Sequence, residues 1–175
     1  MKHYIDGKVV VITGGSSGFG KAAAGMLLEC GAKVVIAARR ESILQEALGD
    51  LDGGENCIAI SADATSSDDW NRLINETVST FGRIDVLVNC HGHGGTIAPL
   101  DTQSDDDIRN TLDINLTGVL LGCREAIRAM KPNGRGHIIN VSSACADHAW
   151  ANWSVYTAAK AGLVTFTRCL HLEMA

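Results

Sequence analysis

Two side chains near the carboxyl end of the sequence have the types and the spacing needed for proton transfer. Tyr156 and Lys160 lie four residues apart in a stretch that predicts a helix, so their side chains share one helix face. A free phenol titrates at about 10, and a neighbouring ammonium group stabilises the phenolate. A Tyr-x-x-x-Lys pair by itself is common and usually marks a solvated helix face, so the interpretation depends on other motifs.

A glycine-rich turn near the amino end has the spacing of a phosphate-binding loop. We expect Gly14 to allow a tight turn, Gly18 to let the backbone approach a pyrophosphate, and Gly20 to let the next helix pack closely. Free N–H groups at the helix start would bind the phosphates. The alternative is a strand-to-helix turn that binds nothing. The predicted contact residues are Thr13, Gly14, Ser16, Ser17, Gly18, Phe19 and Gly20.

Apolar runs of strand length alternate with stretches of helical length. Nearly continuous apolar runs are typical of strands buried on both faces of a parallel sheet. The predicted strands are Lys8–Thr13, Lys33–Ala38, Cys57–Ser61, Ile84–Asn89 and His137–Val141. The predicted helices begin near Gly18, Glu41, Ser66, Ser104 and Trp153, and the fourth is expected to continue to about Met130.

This alternation predicts an α/β fold with right-handed crossovers between parallel strands. We expect a Rossmann-type doubly wound parallel sheet with strand order 3-2-1-4-5. No repeat, low-complexity tract or linker divides the sequence, so residues 1–175 are predicted to form a single domain. Such a sheet brings the turn after its first strand and the helix with Tyr156 to one carboxyl edge, where ligands bind.

Together these motifs resemble the short-chain dehydrogenase/reductase family, from about Gly7 to the last residue. Asp63 matches the family aspartate that touches adenine, and Asn115 matches the helix asparagine of the catalytic tetrad. Ser143, thirteen residues before Tyr156, matches the tetrad serine. The glycine spacing is that of the shorter-subunit branch, which disfavours an extended-type epimerase or dehydratase.

The resemblance implies an NAD(P)(H)-dependent oxidoreductase that interconverts an alcohol and a carbonyl with a Ser-Tyr-Lys-Asn tetrad. Tyr156 would be the general acid in reduction and the base in oxidation, while Lys160 would assist it and hold the nicotinamide ribose. Ser143 would bind the substrate oxygen, and Asn115 would hold a water molecule in the proton relay. The implied further cofactor contacts are Asp63, Ala64, Asn89, Gly92, Tyr156 and Lys160.

The end of the second predicted strand bears on which cofactor binds. An NAD site usually carries a carboxylate there for the ribose 2′-hydroxyl, but this sequence continues from Ala38 to Arg39 and Arg40. Arg39 could pair with a 2′-phosphate, whereas Arg40 is expected to be solvated. We therefore expect NADP(H) to be favoured over NAD(H).

Three histidines and two tryptophans depart from the family pattern or stand near its substrate region. His91 replaces a small residue close to the cofactor, and His93 follows in a glycine-rich loop. Two histidines two residues apart, with His148 elsewhere and without an acidic ligand set, do not predict a metal site. Trp150 and Trp153 either line an apolar substrate pocket or pack against helices.

Composition excludes several classes of function. The net charge of -5 offers no basic surface for nucleic acid, and no apolar run approaches the ~20 residues of a membrane span. Neither a signal peptide nor a paired cysteine spacing is evident, so we expect a cytoplasmic protein with small buried thiols. The expected partners are a small-molecule alcohol or carbonyl substrate and further copies of the chain.

The sequence ends near the close of the helix with Tyr156, before the sixth strand that family members normally have. We therefore expect a C-terminally truncated domain whose fifth strand is an apolar sheet edge, which favours aggregation or oligomers. Residues 1–175 alone would then bind cofactor weakly at best and reduce no carbonyl at a useful rate. The alternative function is that of a non-catalytic nucleotide-binding or interaction protein.

Overall fold

A computed structural model describes residues 2–174 as a five-stranded parallel sheet with helices on both faces. The strand order is 3-2-1-4-5, which confirms the predicted Rossmann-type fold. Parallel pairing places the carboxyl ends of all strands at one edge. The strands are β1 (Val9–Thr13), β2 (Lys33–Ala38), β3 (Cys57–Ser61), β4 (Val86–Asn89) and β5 (His137–Asn140).

Seven α-helices surround this sheet in the described part of the chain. They are α1 (Lys2–Ile5), α2 (Gly18–Glu29), α3 (Glu41–Leu51), α4 (Ser67–Phe81), α5 (Asp105–Leu112), α6 (Gly118–Met130) and α7 (Ser154–Met174). The short helix α1 is absent from the sequence prediction. Short 3₁₀ turns connect several elements, and one of them, Ala144–Ala146, directly follows Ser143.

Serines begin two helices as their side-chain chemistry predicts. Ser66 accepts a hydrogen bond from the Asp69 N–H at the start of α4. Ser104 and Asp107 bond reciprocally at the start of α5 and form a capping box. These caps satisfy backbone N–H groups that have no partner within the helix.

The long helix predicted from Ser104 to Met130 is interrupted, which corrects that prediction. A π-helical turn, Asp113–Thr117, separates α5 from α6 and contains Asn115. A Cβ on Gly118, directly after this turn, would lie 2.7 Å from the Ala64 carbonyl oxygen. The turn and α6 therefore pack tightly against the loop that follows β3.

Two apolar cores lie on opposite faces of the sheet. The central strand β1 supplies both, because successive side chains point to opposite faces. Val10 and Ile12 pack with Leu44 of α3 in one core, whereas Val11 packs with Trp70 of α4 in the other. A smaller cluster under α7 contains Val119, Cys123 and Leu163.

The strand β5 lies at the edge of the sheet and is the least covered strand. It pairs with β4, and the side chains of Ile139 and Val141 are 46% and 37% exposed.

Of the cysteines, Cys57, Cys123 and Cys145 are buried, but Cys169 is exposed, so the prediction of small buried thiols is wrong there. Among residues 2–174, no helix combines the length and the apolarity needed to cross a bilayer.

Candidate active site

A cleft of about 330 Å³ opens at the carboxyl edge of the sheet. All seven residues predicted in the phosphate-binding turn line it, together with Arg39, Asp63, Ala64 and Gly92. Asn89, Tyr156 and Lys160, which are also predicted to contact the cofactor, are not part of this lining. The cleft thus brings together most of the residues predicted to contact the nucleotide, and the four predicted tetrad residues are not part of its lining.

The glycines of the turn lie in two kinds of environment, packed at Gly14 and Gly20 and open at Gly18. Gly14 has a φ of +70°, and a Cβ there would lie 2.9 Å from the Cys90 carbonyl oxygen. A Cβ on Gly20 would collide with the Gly14 carbonyl oxygen. At Gly18, φ is +52° and a Cβ would meet no atom within 4 Å, so the backbone borders open space there. The turn is therefore packed on one side and free on the side that a ligand would approach.

The start of α2 suits an anion. Ser17 is the N-cap residue, and its side chain makes no capping hydrogen bond, so it leaves the first N–H groups of the helix without a side-chain acceptor. Such a helix terminus carries a partial positive charge and binds phosphate groups readily. This geometry fits the pyrophosphate of a dinucleotide.

Arg39 stands at the exposed rim of the cleft, directly after β2. Within residues 2–174, no carboxylate lies within 4.0 Å of its guanidinium group, nor of that of Arg40. Asp63 lies across the cleft, and its Oδ1 accepts hydrogen bonds from the Thr65 N–H and hydroxyl at 2.9 and 2.8 Å. Arg39 and Arg40 both line the cleft, and together they place exposed positive charge at its rim.

Lys160 lies deeper than Tyr156 on the same helix, α7. Its Nζ donates to the Val141 carbonyl oxygen at 3.0 Å and lies 5.9 Å from the centroid of the Tyr156 ring. Burial lowers the pKa of Lys160 from its ordinary value. The two groups therefore share one helix face, as their spacing predicts.

Ser143 is held in place by the 3₁₀ turn that follows it. Its Oγ accepts a hydrogen bond from the Cys145 N–H at 3.2 Å, which leaves the hydroxyl hydrogen available to another partner. Ser142 donates to the Lys160 carbonyl oxygen at 3.3 Å, and this bond ties the end of β5 to α7.

Asn115 is fully buried, and its side chain fixes a loop. Its Oδ1 accepts from the His93 N–H at 3.2 Å, and its Nδ2 donates to the carbonyl oxygens of His93 and Thr111, both at 2.9 Å. Both amide hydrogens are therefore occupied, so this side chain could bind a water molecule only through Oδ1.

The segment Cys90–His93, which we term the junction segment, lies between the cleft and the tetrad. A Cβ on Gly92 would lie 2.7 Å from Asn115 Oδ1 and 3.5 Å from Lys160 Nζ, so both groups converge there. On the other side, a Cβ on Gly14 would lie 3.0 Å from the Cα of His91. The sequence contains one signal for this junction, the replacement of a small residue by His91.

His91 is a half-buried histidine that is neutral at neutral pH. Its Nδ1 lies 2.6 Å from Thr13 Oγ1, and its ring packs at 60° to that of Trp70, with a centroid distance of 6.3 Å. Burial, with the charges of Lys160 and Arg39, lowers the pKa of His91 to about 4, although the Ile114 carbonyl and Asp63 oppose the shift. The cleft therefore presents His91 without a charge at neutral pH.

Aromatic rings extend from Tyr156 toward the surface. Trp153 packs edge-on against Tyr156 with a centroid distance of 5.5 Å, and Trp150 packs edge-on against Trp153 at 6.0 Å. Trp153 also lies against Gly94, whereas Trp150 is 51% exposed.

Within residues 2–174, no group of three His, Cys, Asp or Glu side chains is placed to hold a metal ion.

Comparison with known proteins assigns the family. A model of the short chain dehydrogenase family matches residues 8–175. The chain belongs to this family. Borneol dehydrogenase, mitochondrial, of Lavandula x intermedia is 35% identical over 173 residues, which cover 97% of this chain and 64% of that protein. The chain therefore spans less than two thirds of the length of this relative.

Solved structures of family members show the same fold. A variant of actinorhodin polyketide ketoreductase with NADPH is 31% identical, has a TM-score of 0.91, and is matched over 95% of this chain and 65% of its own. NAD⁺-bound xylitol dehydrogenase is 27% identical and has a TM-score of 0.93. The match covers 97% of this chain and 66% of the xylitol dehydrogenase chain.

Proposed function

We propose that this short-chain dehydrogenase binds a nicotinamide dinucleotide and interconverts an alcohol and a carbonyl. The observation that carries the proposal is that Asn115 and Lys160 meet at Gly92. The residue before it, His91, lies against the nucleotide turn at Gly14. A cofactor bound along the cleft would end beside these groups. The residues that would hold its phosphates are those of the turn and the start of α2.

The cofactor, when bound, supplies or accepts the hydride. The chain's own residues handle the proton. Tyr156 would give its hydroxyl proton to the substrate oxygen in reduction, and Lys160, on the same helix face, would stabilise the phenolate that is left. Ser143 would donate its free hydroxyl hydrogen to the same substrate oxygen. Asn115 would keep the junction segment in place beside them.

NADP(H) is our preferred cofactor, because Arg39 lines the cleft without a carboxylate partner and Ala38 offers no charge to repel a 2′-phosphate. The solved relatives include one with NADPH and one with NAD⁺, so the preference rests on Arg39 itself. The roles proposed for Asn115, Ser143, Tyr156 and Lys160 rest on the match of these residues to the catalytic tetrad of the family.

We infer that the substrate is a small alcohol or ketone with an apolar body, which would lie near Trp150 and Trp153. Borneol dehydrogenase, a relative, is named for such a substrate. A homo-oligomer, a cytoplasmic location and one domain over residues 1–175 are further parts of this proposal.

The test replaces Tyr156 with phenylalanine, which removes the proton-donating oxygen and keeps the ring. Because residues 1–175 alone are expected to reduce no carbonyl at a useful rate, the test uses a full-length version of the domain. NADPH oxidation is followed with a panel of cyclic and linear ketones, and NADPH affinity is measured in parallel. We expect turnover to be lost while the Kd stays within a few-fold. The control is His171→Ala at an exposed position on α7, which should change neither value.

Turnover of the Tyr156→Phe variant within ten-fold of the parent would move the acid/base role to another residue. Binding of NADPH by the unmodified protein without turnover of any ketone would favour the non-catalytic alternative.

A further inference from the structure

The junction segment contacts the nucleotide turn through backbone packing at Gly14 and through one side-chain hydrogen bond, between His91 and Thr13. Thr13 ends the central strand β1, and its hydroxyl lies 2.6 Å from His91 Nδ1. The other acceptor near this hydroxyl, the Val88 carbonyl oxygen, is 3.4 Å away. The neutral ring can make the contact as either of its tautomers. With Nδ1 protonated, Nδ1–H donates to Thr13 Oγ1 and the hydroxyl donates to Val88; with Nε2 protonated, the hydroxyl donates to Nδ1.

His91 lines the cleft, but the Nε2 atom of its ring is enclosed. Nε2 is buried and makes no hydrogen bond within the described residues, and Trp70 packs against the ring. A bound ligand would therefore not touch Nε2 unless the ring moved. This enclosure argues against direct contact with a ligand and for a role through Thr13.

The other end of the same segment holds the tetrad. The backbone of His93 exchanges hydrogen bonds with the Asn115 side chain at 3.2 and 2.9 Å, and Gly92 lies against Asn115 and Lys160. A displacement of His91 would therefore move the contacts of both the nucleotide turn and the tetrad.

We propose that His91 is a positioning residue, which holds the junction segment against the nucleotide turn through its bond to Thr13. The bond fixes the shape of the cleft and the place of Asn115 and Lys160 relative to it. Two measurements test this role, and only the first of them, NADPH affinity, rests on the proposed dinucleotide site. A small residue at position 91 could not reach the Thr13 hydroxyl.

The test is a double-mutant cycle between His91→Ala and Thr13→Val, with His91→Asn as the conservative variant and His171→Ala as the control. Affinity for NADPH is measured by equilibrium titration at pH 7.5. We expect each single variant to weaken binding about five- to ten-fold, the loss of one hydrogen bond. The double variant should be no weaker than the weaker single one.

His91→Asn should bind NADPH within about three-fold of the parent, because its amide oxygen can accept the Thr13 hydrogen bond. A variant that merely loosened packing would not be rescued in this way, since Asn also leaves space beside Trp70. Multiplicative losses in the double variant, or an unchanged Kd in His91→Ala, would overturn the proposal.

Urea unfolding of the parent, the two single variants and the double variant without cofactor gives the second readout. If the parent binds no NADPH, the proposed function fails, but the coupling between the two positions in the unfolding midpoint still tests the link. Coupling there supports the His91–Thr13 bond, and additive shifts contradict it.

Discussion

The centre of the sheet and its β5 edge differ in how completely the chain covers them. All five residues of β1 are buried, whereas β5 alternates exposed and half-buried residues. The nucleotide turn follows directly from β1, and Ser143 follows from β5. The cleft therefore stands on the most completely buried strand, while Ser143 follows the least covered one.

Two isoleucines test this difference at the level of stability. Ile12 on β1 is fully buried, and Ile139 on β5 is 46% exposed. Ile12→Ala should lower the free energy of unfolding by about 2–5 kcal/mol through lost burial and a cavity, and Ile139→Ala by less than about 1 kcal/mol. Urea unfolding measures both. Equal losses would mean that the edge is covered as well as the centre.

The pH dependence of stability tests the half-buried histidine at the junction. Because His91 has its pKa lowered to about 4, the unfolded chain binds more protons between that value and the ordinary 6.5. Stability therefore falls as the pH drops through this window, by about 1.4 kcal/mol at pH 5.5 from this group. Because Lys160 lowers this pKa and Asp63 raises it, the proteins compared in this experiment must retain both residues.

His91→Asn should flatten this part of the profile, since it removes the titrating group. Unfolding free energies of both proteins at pH 7.5 and 5.5 supply the comparison. An equal drop in parent and variant would place the titrating group elsewhere.

Cofactor preference tests the rim of the cleft. Arg39→Asp should weaken NADPH binding about ten-fold or more, since it removes a charge-assisted contact and adds repulsion. Arg40→Asp changes the neighbouring arginine, which also lines the cleft, and should have the smaller effect. Tighter binding of NADH than of NADPH by the parent would contradict the assignment.

The strand β5 gives the prediction with the smallest expected effect on the cleft. Its exposed apolar side chains and edge position favour self-association of residues 1–175. Ile139→Lys should reduce oligomer size in light scattering and leave NADPH affinity within two-fold, about 0.4 kcal/mol. A monodisperse monomer in the parent would refute the self-association.

The sequence predicted the fold correctly, and the turn residues that it singled out line the cleft, because both depend on local patterns. Continuous apolar runs predict buried parallel strands, and the spacing of Gly14, Gly18 and Gly20 predicts the turn that lines the cleft. The roles of the tetrad residues stay predictions.

The π-helical turn and the junction were not predictable in the same way. The turn at Asn115 lies within a stretch whose apolar period is helical throughout, so nothing local marks the interruption. The bond between His91 and Thr13 joins residues 78 positions apart, and only the packing of β1 beside β4 brings them together.

Amide hydrogen exchange with and without NADPH tests the central claim most directly, since it reports the cleft and the edge in one experiment. We predict slow exchange in β1, β2 and β4, faster exchange in β5, and added protection by NADPH in residues 13–20, 37–40 and 90–93. Protection confined to other segments, or no change at saturating NADPH, would contradict a dinucleotide site in this cleft.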